Sequence, residues 1–421
     1  MAHWFHRNPI KATDEVKFEL KSVLTSPESS RICGQLRVRR KQLLEYFSNA
    51  SNDLKTVDDD FNEYLALFAG FIVPIGPSGR EYGAASKLAP LLRFRWANSM
   101  TGPTAVEISD SWFEALNMVL NMALWLTKHA AWIAAKNEVL ESEAKRVHTC
   151  LRRAAGMFEF VQENIDKVSG ASSVAGSDFD SAVLQAYIHQ CTAEAQEVTV
   201  ARAIEMKHSP QLISALAHET SQLFTKAGSS LEKLDASIFG KWRLYMQLKA
   251  QLYLAYAYAF LGESLLAEDR CGEAIRACKE GISCYQVASD FADKYSKSTG
   301  PGLHAHPEKH LFFRRVEPLL KRHLDKAERE NSLIYHEKIA EECPSLEMKA
   351  TYGLVKAEPF TLPPPHKEWN ATVYESFNIS KASMPDFSKI KKSSKQLTPV
   401  HEEKLYETDR DPTNDSGCVL L

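Results

Sequence analysis

Residues 251–285 read QLYLAYAYAFLGESLLAEDRCGEAIRACKEGISCY. Leu, Tyr, Ala and Phe recur at helical spacing up to Leu261-Gly262. A short polar turn follows, and the small and apolar positions resume at Gly272-Glu273-Ala274-Ile275. Small residues and aromatic knobs on either side of a tight turn are the pattern of a tetratricopeptide-like helical hairpin. The period is not repeated cleanly elsewhere, so the reading is a partial solenoid rather than a regular array. Cys271 and Cys278 are two helical turns apart and Cys284 falls near the same face, as small apolar residues of a helix seam do. None of the eight cysteines forms a CxxC pair.

Outward from this hairpin, helical periodicity runs from about residue 31 to about 340. It predicts helices over 31–70, 106–138, 140–168, 179–207, 210–229, 239–267, 271–296 and 308–338, with Gly/Pro/Ser loops at 74–84, 170–177 and 298–306. His208-Ser209-Pro210 places Ser at an N-cap and Pro at the first helical position, so two antiparallel helices meet there at a tight corner. Val16, Phe18 and Leu20 alternate with polar neighbours, which predicts a short strand pair within 10–30. The expected class is all-α in the main, with a small N-terminal β element.

After about residue 340 the character changes. Pro344, Pro359 and Pro363-Pro364-Pro365 exclude helix, yet Leu354, Val355, Phe360, Leu362, Trp369, Tyr374 and Phe377 are apolar enough to pack. An extended arm lying along the helices is expected. Residues 381–417 lose that apolar content and are expected to be disordered. Their charge is split, net +4 over 381–400 and net −4 over 401–417. The division is thus 1–380 as the domain, 381–417 as a charged tail and 418–421 as a separate terminal motif.

Composition narrows the functions. Over 421 residues, 51 Lys+Arg stand against 54 Asp+Glu, a net charge of −3, which offers no global field for nucleic acid. The N-terminal MAHWFHRNP lacks a signal-peptide apolar run, and the best membrane-span candidates, 112–135 and 252–267, are broken by charges or too short. A cytoplasmic protein is expected, and its Asn-x-Ser/Thr sites are read as chance matches. Chemistry is scarce. His304, His306 and His310 share a Gly/Pro loop but have only Glu308 beside them, short of a zinc set. There is no HExxH, no GxSxG elbow and no P-loop, since GPSGREYG at 76–83 lacks Gly-Lys-Ser/Thr. No enzyme, cofactor, metal or small-molecule substrate is expected.

Two features remain. The terminal Cys418-Val419-Leu420-Leu421 fits C-a-a-X, which predicts prenylation of Cys418 (geranylgeranyl, from the final Leu) and a methylated, membrane-peripheral lipoprotein. The basic run at 389–395 (KIKKSSK) could add attraction to anionic lipid. The second feature is the helix pair around the 208–210 corner. Leu212 and Leu216 are i and i+4, Thr199 and Arg202 i and i+3, so each pair shares a face. Spacing alone reads these leucines first as core.

The N-terminal HWFHRNP, the stretch AEAQEVTVARAIEMKHSPQLISALA (193–217), HLFF at 310–313 and IYHEKI at 334–339 resemble the Bro domain family. The resemblance covers about residues 1–380 plus the last four, and its most specific element is the pairing of AQEV with a CAAX end. It implies a boomerang-shaped helical domain with a tetratricopeptide-like core. It also implies a concave groove that binds the C-terminal amphipathic helix of ESCRT-III subunits, the charged multivesicular body proteins. By position, Leu212 and Leu216 would form the groove floor, Arg202 would meet acids on the incoming helix, and Thr199 and Tyr352 would line its walls. Several relatives have an aromatic residue where this chain has Thr199, which implies a shallower wall. The chain then reads as a non-catalytic adaptor held by its lipid on the cytosolic face of endosomal or nuclear-envelope membranes. The alternative is a soluble helical repeat scaffold for an unrelated partner, with an accidental CAAX match.

Overall fold

The computed structural model describes residues 3–80, 84–136, 139–169, 174–346, 349–350, 352–382 and 396–405. Helix α1 (Pro27–Phe47) starts where Ser26 Oγ accepts the Ser29 N–H at 3.1 Å, with Pro27 at the first position. The single helix predicted over 31–70 is two helices. Residues 48–53 (SNASND) turn the chain because their side chains compete for the backbone. Asn49 Oδ1 accepts the Ser51 N–H at 2.8 Å, and Asp53 caps α2 (Leu54–Ile72) by accepting the Thr56 N–H at 3.0 Å.

Two hairpins follow, β1 (Ile75–Gly76) with β2 (Gly79–Arg80), and β3 (Phe94–Asn98) with β4 (Gly102–Ile108). The strand pair predicted within 10–30 does not form. Val16, Phe18 and Leu20 are buried, so the alternation is real. Phe18, however, adopts φ 52°, which breaks the extended run. Among the described residues this segment makes only the isolated bridges Thr13↔Trp96 and Leu24↔Phe377. The helix expected from 106 begins later, at α3 (Ser111–Ala134), because Val106 is paired with Trp96 in the sheet.

From there the chain stacks in order. α4 (Glu141–Asn164), α5 (Ser181–Glu205), α6 (Pro210–Ser230), α7 (Ala236–Ala267) and α8 (Cys271–Lys297) each pack on the helix before. The α5–α6 corner is as expected, with Ser209 as N-cap and Pro210 at the first helical position. The α7–α8 hairpin turns through residues 268–270, with Asp269 left-handed at φ 63°. Gly262 faces the Cys278 sulfur so closely that a Cβ would overlap it, which accounts for the small residues along this seam. Then come α9 (Leu311–Arg314) and α10 (Val316–Glu330), with a last wide turn at residues 331–335. The chain leaves the helix at His336, φ 52°, slightly earlier than the predicted end at 338.

The arm then runs along the helices without regular structure. Glu358 N–H donates to Arg152 O at 3.0 Å, and His366 N–H to Ala66 O at 3.0 Å. The Trp369 indole N–H donates to Leu67 O at 2.7 Å and its ring lies over Gly70, where any Cβ would overlap it. Short α11 (Ala371–Glu375) follows. The expected disorder over 381–417 needs one correction. Residues 396–405 are seated on the domain, because Leu397 and Leu405 provide the apolar anchors that the surrounding sequence lacks. The basic run at 389–395 and the 418–421 motif lie outside the described residues.

The apolar stretch that mimics a membrane span is α3, buried on nearly every side. Its polar breaks are partnered inside the protein. Glu114 accepts from Arg40 Nε at 2.7 Å, Tyr64 Oη at 2.9 Å and Trp96 Nε1 at 2.7 Å, and Asn121 Oδ1 accepts the Lys11 N–H at 2.9 Å. Among the described residues no helix is long and apolar enough to cross a membrane.

Candidate functional site

Helix α5 organises the site by dividing its side chains. Toward the interior it sends Glu194 and Glu197, both fully buried. Glu194 pairs with Arg7 at 2.8 Å and accepts from Tyr245 Oη at 2.7 Å and Gln190 Nε2 at 2.7 Å. Glu197 takes Lys249 Nζ at 2.9 and 3.0 Å and lies 3.3 Å from His3 Nδ1. Burial pushes the Glu197 carboxyl up, but the Lys249 ammonium and His3 outweigh it and hold it below the usual range. These partners tie the N-terminal HWFHRNP segment into the solenoid. Trp4 stacks on Phe312 and meets Tyr245 and Tyr295 edge-on.

The opposite side of α5 opens to solvent. Together with the start of α4, the start of α6 and residues 352–353 of the arm it encloses a groove of about 590 Å³. Thr199, Arg202, Leu212, Leu216 and Tyr352, from three separate segments, all line it. Leu216 is 1% exposed and Leu212 8%, so both are floor rather than protruding anchors. Gly353, at φ 80°, lies against Leu216: a Cβ there would come 3.4 Å from its methyl carbons. Arg202 is half exposed and already shared between Glu141 and Glu205, each at 3.5 Å. An acid on a docking partner would therefore have to compete for it. Tyr352, 59% exposed, stands at the rim.

The AQEV segment links both sides. Gln196 Nε2 donates to Gly353 O at 2.8 Å, and Gln196 Oε1 accepts the Val355 N–H at 2.8 Å. This pair of bonds clamps the arm at the groove edge, while Glu197 next to it anchors the core and Val198 lines the groove. Sequence reasoning missed Val139, Ala144, His148 and Gly353 in the lining. Ala144 and His148 are i and i+4 on α4, a readable stripe, but nothing in the sequence places α4 across a groove from α6. Burial, and Arg152 nearby, lower the His148 pKa, so it presents a neutral ring.

Other candidate chemistry stays apart from the groove. His306 Nδ1 lies 3.1 Å from Glu308, and His304 stacks edge-on against His306. Among the described residues no group of three or more His, Cys, Asp or Glu is placed to hold a metal. Burial pushes the thiols of Cys278 and Cys284 up to about 12, as befits seam residues.

A mainly helical stack whose groove is closed by a returning arm defines the class, and comparison with known proteins gives it a name. The BRO1-like domain family matches residues 85–389. The chain is 58% identical to the BRO1 domain-containing protein BROX homolog of Caenorhabditis elegans, over all of both chains. It is 42% identical to the human BRO1 domain-containing protein BROX over 92% of this chain and 93% of that protein. Among solved structures, a complex of the Alix BRO1 domain with CHMP4C superposes with a TM-score of 0.67 at 17% identity, over 88% of this chain and 99% of that one. This chain belongs to the BRO1 domain family.

Proposed function

We propose that the groove between α4, α5 and α6 binds the C-terminal amphipathic helix of an ESCRT-III subunit, and that the protein is a non-catalytic adaptor. The observation that supports this most is the shape and chemistry of the groove. Its floor is apolar, from Val198, Leu212 and Leu216, and its rim carries charges of both signs, with Glu141, Lys145 and Arg202. A helix about 10 Å across lays one face on such a floor and puts its polar edges against the rim. The fold it shares with Alix BRO1, solved in complex with CHMP4C, agrees. Docking buries a few aliphatic anchors that carry most of the affinity. Acids on the incoming helix exchange for Glu141 and Glu205 around Arg202, adding selectivity more than strength.

The second part of the proposal is a lipid on Cys418, holding the adaptor on the cytosolic face of endosomal or nuclear-envelope membranes. One short lipid chain binds reversibly, which suits a receptor that must leave. Titration of isolated ESCRT-III C-terminal peptides against the protein tests the first part. No binding by any such peptide to a natively folded chain would overturn it and leave an unrelated partner for the groove. Intact mass from eukaryotic cells tests the second: an unmodified Cys418 refutes it.

A further inference from the structure

Residues 396–405 (QLTPVHEEKL) sit on the domain between two stretches that lie outside the described residues. Gln396 bridges Thr104 on β4, and the Leu397 N–H donates to Pro103 O at 2.8 Å. Leu397 is buried with Ala12 and Ala97, and Val400 packs against them. Glu402 reaches into the body, accepting the Ile10 N–H at 2.9 Å and pairing with the buried Lys128 ammonium at 2.5 Å. Glu403 N–H donates to Ser48 O at 2.8 Å, and Leu405 closes the segment inside the main core. The seat is formed by the N-terminal segment, the β3–β4 hairpin, the α1–α2 corner and α3, and it shares no residue with the groove.

We propose that residues 396–405 are a releasable strap whose docking sets the length of the tether between the domain and Cys418. Covalent geometry fixes the scale. From Ala382, the last described residue before the strap, to Cys418 an extended chain reaches at most about 125 Å; from Leu405 it reaches at most about 45 Å. Docking thus removes well over half of the reach, and the remainder leaves from the α1–α2 corner. Contacts that include two buried leucines, the Leu397 and Glu403 backbone bonds and the Glu402–Lys128 ion pair must offset the ordering of ten residues. Such a segment belongs to the least stable part of a fold and opens on its own. The consequence for membrane distance rests on the lipid reading above; the strap itself does not.

The test uses the full chain with Cys418 unmodified, which separates failure of the strap from failure of the lipid or of the groove. In a Cys343→Ser background, where the remaining described cysteines are buried, nitroxides are placed at Cys418 and at an introduced Ser51→Cys. Pulsed-EPR distances are compared with a chain whose residues 396–405 are replaced by a Gly/Ser run of equal length. The strap predicts a distribution confined to the short range, and a longer and broader one after replacement. Hydrogen exchange on the unsubstituted chain gives an independent reading, with protection expected at Leu397 and Glu403. Identical distance distributions, or exchange at the free-peptide rate at both amides, would overturn the proposal.

Discussion

The two sides of α5 differ in kind. Its inward side carries two glutamates with no exposure, held by Arg7, Lys249, His3 and Tyr245. Its outward side, Val198, Thr199 and Ala203 with Arg202 at the edge, is mostly apolar and borders an open groove. Burying charge is expensive, so the inner side does not serve folding in the simplest way; on the outer side Val198 and Ala203 are themselves buried and still line the groove. The inner pairs specify a single seat for the N-terminal segment. The outer side lines the groove, and it is the side that the proposed partner helix would cover.

Breaking the inner side should have the largest effect. Glu197→Ala strands the Lys249 ammonium, and losing one member of a buried pair costs about 3–5 kcal/mol. A strongly lowered melting temperature is expected, largely recovered in Glu197→Leu/Lys249→Met. A double variant as unstable as the single one would show that the pair does more than neutralise charge.

The floor of the groove comes next and marks where the two sides meet. Leu216→Asp should chiefly unfold the domain, because the carboxylate would lie beneath Gly353 with almost no access to water. Leu212→Asp, at the edge of the open space, should melt closer to the native chain. It should also weaken binding of an ESCRT-III helix by about 30- to 1,000-fold, the ~2–4 kcal/mol of a hot spot. Equal melting curves for the two variants would erase the distinction drawn between floor and edge.

Acid should also loosen the inner side. His6 sits between Tyr295 Oη at 2.8 Å and Asn8 Oδ1 at 3.0 Å, and burial lowers its pKa from 6.5 to about 3. Between those values the unfolded chain binds a proton that the folded chain does not, so stability is complete above 6.5 and is lost as pH falls toward 3. The loss by pH 5 is about 2 kcal/mol from this group, at about 1.4 kcal/mol per pH unit. His6→Gln should flatten the dependence of melting temperature on pH over that window; an unchanged slope would assign the acid sensitivity elsewhere.

The smallest effect is expected at the clamp that joins the arm to α5. Gln196→Ala removes two hydrogen bonds to the backbone of Gly353 and Val355. It should cost about 1 kcal/mol of stability, speed amide exchange at Val355, and weaken groove binding several-fold through a misplaced Tyr352. Unaltered binding would mean that the arm is scenery for the groove rather than its wall.

Local and periodic features were legible along the chain. The α7–α8 hairpin, the Ser209-Pro210 corner, the non-helical arm and the burial of α3 follow from 3.6-residue spacing, from capping and from the geometry of proline. The groove residues were legible only through the family resemblance, since Leu212 and Leu216 at i and i+4 read equally well as core, and in exposure they nearly are. Other features depend on contacts between distant segments and leave no local periodic trace. Phe18 breaks an alternating pattern because its side chain is needed against Phe68 and Phe71. The polar run at 48–53 ends a helix that apolar spacing would have continued, and two leucines among charges seat a tail that composition alone leaves loose. Sequence by itself determined the helices and their turns, because those depend on neighbours within about four residues. Only the tertiary structure decided which side of α5 faces the core and which meets the arm, because α5 alternates Ala, Glu, Gln and Val with no dominant apolar side, and its direction is set by Arg7 and Lys249, 187 and 52 residues away from the glutamates they pair with.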